Sequence, residues 1–143
     1  MSQPAVSVVQ SVIHHAAAMR VVQAALRKAE ALGVQVCVAV VDSSGRQAAF
    51  ARMPGAFLIS GQIAWNKAHS TAAIGVPAEL VEQALAQEAP RVREGIVTSG
   101  FSLIRGGVPL RDGDALIGAV GVSGGSESQD VECAQAGANA LSG

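Results

Sequence analysis

The chain predicts an α+β domain, an antiparallel sheet covered by helices, and three observations carry that prediction. A helical apolar period runs through the N-terminal third, and β-branched apolar runs are joined by tight turns at Asp42–Gly45 and Asp112–Gly113. The strand and helix signals also fall in blocks instead of alternating, and strands joined by tight turns pair antiparallel.

The first helix is expected over residues 15–32, because Ala18, Val21, Val22, Ala25, Ala29 and Leu32 recur at helical spacing while Arg20, Gln23, Arg27 and Glu30 fall opposite. Gly33 then closes it. Residues 35–42 form a β-branched run suited to a central strand, and the turn Asp42–Gly45 folds the chain into a second strand over 46–52. Met53-Pro54-Gly55 breaks that strand ahead of a helix over 56–73, whose small residues Gly61, Ala64, Ala68 and Ala72 allow close approach to a sheet. A short helix over 77–87 starts on a proline. Three extended segments follow at 96–104, 107–112 and 115–122, with Gly106-Gly107 and Asp112-Gly113 at the turns, and a last helix covers 127–141. Residues 1–143 read as a single domain, with 1–14 as a flexible N-terminal segment.

Composition narrows the function. Half of the 143 residues are apolar and 15% are charged, and the mean hydropathy is +0.37. Ala and Val supply most of this, enough for a real core and for apolar surface that a second copy would cover, so a homo-oligomer is expected. A net charge of −1 with scattered basic residues and no Tyr gives no nucleic-acid surface. No apolar run approaches the roughly 18 residues that cross a bilayer, so no membrane association is expected. The N-terminus lacks the charged head and apolar stretch of a secretory signal and reads as cytoplasmic. Cys37 and Cys133 sit in apolar segments without metal-ligand spacing and read as reduced, buried thiols.

The most informative stretch is residues 115–125 (ALIGAVGVSGG), followed within five residues by Asp130. It reads as a buried strand ending in the pair Gly124-Gly125 just before a helix start near 126–128. Amides there face the positive end of a helix dipole, a place for an anionic group, although the glycines also serve a plain strand-to-helix connection. Ser123 precedes the pair as a candidate ligand donor. Gly121 to Gly125 has the letters GxSxG, but it follows a meander strand and lacks the parallel sheet of a hydrolase elbow. No GxGxxG or P-loop is present. Arg52 ends a strand, and Lys67 lies on a helix row with Ser60, Ile63 and Thr71, where an ammonium needs a partner. Asp42, Asp130 or a ligand carboxylate would serve, so Lys67 and Arg52 read equally as ligand-binding cations or as salt-bridge partners. Gly106-Gly107 reads as a close approach to a flat ligand or as a tight turn.

These blocks together carry a resemblance. Val40-Val41-Asp42 with Gly45, Arg52-Met53, Lys67-Ala68, the run 106–110 (GGVPL) and the run 117–125 with Asp130 are similar to the GlcG/HbpS family, related to the C-terminal domain of PduO, over about residues 15–140. The resemblance implies a profilin-like three-layer α/β/α domain with a five-stranded antiparallel sheet, assembled into dimers and larger rings. Several members bind haem, and some are linked to haem sensing or breakdown. Haem is therefore the implied cofactor, with His14 and His15 as candidate iron ligands or an exposed pair at the helix start, and His69 as a further imidazole on a helix.

Two functions follow. The first is haem or tetrapyrrole handling, with carboxylates held by Arg52, Lys67 and the loop bearing Ser123, Gly124, Gly125 and Asp130, near Gly106 and Gly107. The alternative is a cofactor-free lyase or isomerase acting on a small aromatic or hydroxy-acid, with Lys67 and Arg52 as its catalytic cations.

Overall fold

The computed structural model describes residues 3–142. Within them lie helices α1 (His15–Leu32), α2 (Ser60–Ile74), α3 (Ala78–Leu85), α4 (Pro90–Thr98) and α5 (Glu127–Asn139) and strands β1 (Cys37–Asp42), β2 (Gln47–Arg52), β3 (Gly107–Asp112) and β4 (Ala115–Ser123). The strands form one antiparallel sheet in the order β2-β1-β4-β3, so β1 and β4 are central.

Alternation along β1 sorts the core into two halves. Val36, Val38 and Val40, with Leu110, Val120 and Val122, face α1 and α5, where they meet Val21, Val22, Ala25, Cys133 and Ala134. Cys37, Ala39, Val41 and Ala119 face α2 through Ala64, Ala68 and Ala72. Helices thus cover both faces of the sheet. The small residues on α2 bring its backbone against β4, and a side chain at Gly121 would collide with the backbone of Ala64 and Ala68.

The sheet has four strands among the described residues, not the five expected, and the segment responsible is 96–104. Its β-branched Ile96 and Val97 belong instead to α4, which Pro90 starts at its first position and none of whose residues is buried. The chain after it runs without regular structure, and its amides are satisfied by helix side chains. Ser102 N–H donates to Ser70 Oγ on α2 at 2.9 Å, and Arg105 N–H donates to Glu127 Oε2 on α5 at 2.9 Å. With those donors spent, no fifth strand extends the sheet beyond β3. The second helix likewise begins at Ser60 rather than 56, because only Ala56 of 56–59 is buried while Phe57, Leu58 and Ile59 stay exposed.

A bulge shapes the other end of the molecule. Leu110 pairs with Gly118 and Arg111 with Leu116, so Ile117 is left out of the β3–β4 ladder. Its carbonyl accepts instead from Ile13 N–H at 3.0 Å and Ser43 N–H at 2.9 Å. The N-terminal segment is thereby fastened to the sheet, and Ile13 is buried.

Candidate functional site

Strand register gathers most of the residues singled out from sequence at one end of the sheet. Arg52, Cys37 and Ser123 form a row across β2, β1 and β4, and Gly107 opposes Gly121 beside them. Lys67 reaches this end from α2. Its ammonium donates to Val122 O at 2.8 Å and to Asp130 Oδ2 at 3.0 Å. The other Asp130 oxygen accepts the Gly125 N–H at 2.9 Å. Both charges are almost wholly buried, with 2% and 5% of their side chains exposed.

The glycines around this pair meet the protein's own groups. Gly106 has φ +129°, and a Cβ there would stand 2.8 Å from the Lys67 ammonium. Gly124 has φ +144°, and a Cβ there would strike the backbone of Gln35 and Val36. Lys67, Asp130, Gly106, Gly125 and the Val122 carbonyl thus close on one another and tie α2, β4 and α5 together. Ser123 is buried beside them. Arg52 stands apart, exposed on the edge strand β2, and its charge partly offsets the effect of burial, which raises the Cys37 thiol.

A more open site lies at the opposite end of the sheet. His14 precedes α1 and caps it, its Nδ1 accepting the Ala16 N–H at 3.0 Å. The exposed His15 ring stacks on it, 4.2 Å away between centroids. Beside His14 opens a cleft of about 390 Å³, walled by Val12, Ile13, Ala17, Ile117 and Leu141 and bordered by Arg20, Arg111 and Asp112. The Ile117 bulge builds this wall by anchoring Ile13. Arg111 is positioned by donating to the carbonyls of Gly75 at 2.8 Å and Asp114 at 3.4 Å.

Sequence reasoning found the histidines but not Arg20 or Arg111. Arg20 is read from periodicity as part of the solvent face of α1, and no motif marks Arg111. The cleft that both residues border depends on a bulge that periodicity does not announce. His69, half-buried on α2, stacks on Trp65 at 4.5 Å and lies against Gly45 in the β1–β2 turn.

A third cluster also went unread. Arg105 pairs with Glu82 and, at 3.4 Å, with Glu79, and Arg93 pairs with Glu82 at 2.9 Å. The hydrogen bonds from Arg105 and Arg93 hold the Glu82 carboxyl below the usual carboxylate range. These pairs pin the irregular segment after α4 to α3.

The apolar wall of the α1 cleft, the His14 imidazole that lines it and the His15 ring stacked on that imidazole suit a flat, largely apolar ligand carrying a metal. The capping bond fixes the tautomer of His14. An Nδ1 that accepts a hydrogen bond leaves the neutral ring's proton on Nε2, so His14 would have to give up its cap to offer Nε2 to a metal. His15 carries no such commitment among the described residues.

Comparison with known proteins bears on the family and the fold. A family model described as haem degrading protein HbpS-like matches residues 13–139. Corrinoid adenosyltransferase PduO of Citrobacter freundii is 31% identical over 139 residues, covering 93% of this chain but 38% of that protein, so the chain spans well under half of that relative's length. The crystal structure of Klebsiella pneumoniae protein ORFY is 30% identical with a TM-score of 0.89, covering 99% of this chain and 98% of that one. A crystal structure of a PduOC:haem complex is 29% identical with a TM-score of 0.82, covering 92% of this chain and 96% of that one.

Proposed function

We propose that this chain, which belongs to the HbpS-like family, binds haem or a closely related tetrapyrrole at the cleft beside the start of α1. The observation that carries the reading is an apolar-walled cleft of about 390 Å³ lined by His14, with the exposed His15 ring stacked on that imidazole. That a relative of the same fold is described in complex with haem supports the choice of ligand.

When bound, haem would supply an iron centre that an imidazole can ligate. The protein's part would be to offer that imidazole, to present the apolar side chains of Ile13, Ile117 and Leu141 to the ring system, and to keep α1 in place. His15 is the better ligand, because its Nε2 becomes available without loss of a helix cap. His14 caps α1 and stacks on His15, orienting it.

The alternative read from sequence, a lyase or isomerase run by Lys67 and Arg52, draws less support. It needs both cations at one accessible surface, whereas the Lys67 ammonium is buried against Asp130 and Arg52 is exposed on an edge strand.

Titration of the purified protein with hemin, followed by absorbance, tests the proposal. A saturable Soret shift is expected, with the histidine-ligated spectrum lost in His15→Ala and kept in His14→Ala. Absence of any saturable shift in the parent protein removes the reading, and loss in His14→Ala alone reverses the assignment of ligand.

A further inference from the structure

We infer that residues 5–10 are an exchange arm, an extended segment that adds as a strand to the free β2 edge of a second copy of this chain. The segment has the composition of a strand and no sheet of its own. Residues 5–10 (AVSVVQ) carry three valines and no charge, form no regular structure, and leave Val6, Val8 and Val9 at least 88% exposed. An uncharged β-branched run of this kind is a liability in water unless something covers it. Its root is fixed to the body. Ile13 N–H is held by the Ile117 carbonyl, the Ser11 carbonyl accepts from Ser43 Oγ, and Gln10 Nε2 donates to Ser43 O at 3.3 Å. Traced backwards from Ile13, the chain thus crosses from β4 to the β1–β2 turn and leaves the molecule on the β2 side. No glycine among residues 3–12 offers a turn back onto its own β2.

The two edges of the sheet differ in whether they can receive a strand. Along β3, Val122 N–H donates to the Gly106 carbonyl at 3.0 Å, so the alternation of an antiparallel ladder turns Val108 and Leu110 toward β4 and Gly107 and Pro109 outward. Pro109 has no N–H to give, which blocks that edge. Along β2, Met53 N–H donates to the Val36 carbonyl at 3.0 Å, so Ala49 and Ala51 bond to β1 while Phe50 and Arg52 present their backbone groups outward. No proline closes this edge, and β2 pairs only with β1 among the described residues. Beside it lies a groove of about 550 Å³ walled by Phe50, Gly61 and Trp65, with Gln47 and Gln62.

Arm and edge match. Residues 5–10 equal β2 in length, six residues, or about 20 Å when extended. Val6 and Val8 share one face of the added strand and lie over the aromatic groove, while main-chain bonds to Phe50 and Arg52 set the register. No charged side chain stands on the arm or between Gln47 and Ala51, so nothing repels the approach. Two copies that trade arms cover both edges at once, which closes the assembly about a two-fold axis.

Sedimentation equilibrium and amide hydrogen exchange are compared for the parent chain, a variant lacking residues 3–9, and Val8→Asp. Both variants keep Ser11 and Val12, which wall the α1 cleft, and circular dichroism checks that both keep the fold. The parent is expected at twice its 14.4 kDa chain mass or more, with the mass falling about twofold in either variant. The Phe50 and Arg52 amides are expected to exchange on the order of tenfold faster in the variants than in the parent. A synthetic peptide of residues 3–11 added to the shortened variant is expected to slow those two amides again. A monomeric parent, or a mass unchanged by removal of the arm, overturns the inference. So does a mass that falls while the Phe50 and Arg52 amides exchange at the parent rate, since the arm then docks elsewhere.

Discussion

Lys67 and Asp130 show how a residue chosen for its chemistry serves a structural purpose. An ammonium on an inward-facing helix row demands a partner, and that demand was legible in the sequence. Which partner it takes depends on the packing of α2 against β4 and the first turn of α5, which was not. Removing one member leaves the other charged and buried. Lys67→Met is therefore expected to destabilise the fold by about 3–5 kcal/mol in chemical denaturation, with a substantial part recovered in Lys67→Met/Asp130→Asn; equal stability of parent and single variant would contradict the pairing. The cysteines offer a second check at this scale. Burial, with added repulsion from Asp130 and Glu132, pushes the Cys133 thiol up to about 11, and burial raises Cys37 as well. A thiolate-seeking reagent such as DTNB is expected to label neither at pH 8 in the native protein and both after unfolding. Fast labelling of Cys133 in the native state would refute this.

Elements whose local signal agreed with their packing could be read directly. α1 combines an apolar stripe with Gly33 in the left-handed conformation, its N–H returning to Ala29 and Glu30, and each of these is written in the sequence. The β1–β2 turn is similar. Asp42 Oδ1 accepts from Ser44 N–H at 2.8 Å, Ser44 Oγ at 2.6 Å and Arg46 N–H at 3.1 Å. Partial burial alone would raise this carboxyl, but those hydrogen bonds and the Arg46 charge outweigh it and lower it below 3.8. The turn's contribution is then present above that pH and disappears as pH falls through the lower value of the folded state. Asp42→Asn is expected to be less stable than the parent at pH 7, with the gap narrowing below pH 4 in acid-unfolding curves; a gap constant with pH would oppose it. Elements whose signals conflicted were misread. Ile96 and Val97 favour strands, but the proline at the start of α4 and the helix side chains awaiting the amides beyond it won. The Ile117 bulge has no sequence mark at all, and with it went the cleft and its two arginines.

At the scale of the whole molecule, the sheet separates two kinds of site. One end is sealed by the Lys67–Asp130 knot, and the other opens beside α1. On the remaining surface Phe57, Leu58 and Ile59 are 66–91% exposed as a consecutive run, with Phe50 in contact range of Gly61 in the next turn. The apolar surplus in the composition thus has an outlet, and the expected homo-oligomer is checked by sedimentation equilibrium. The parent chain is expected above its 14.4 kDa monomer mass, and Leu58→Glu is expected to lower the observed mass; a monomeric parent would refute it. The anchoring of Ile13 to the Ile117 carbonyl has a practical bearing on handling the protein. Val6, Val8 and Val9 are fully or almost fully exposed while Ile13 is 6% exposed, so affinity tags and deletions that stop before Ser11 should leave the melting behaviour of the single protomer unchanged. Cutting through Ile13 would uncork the hydrophobic interior and strip the cleft of a wall in a single step.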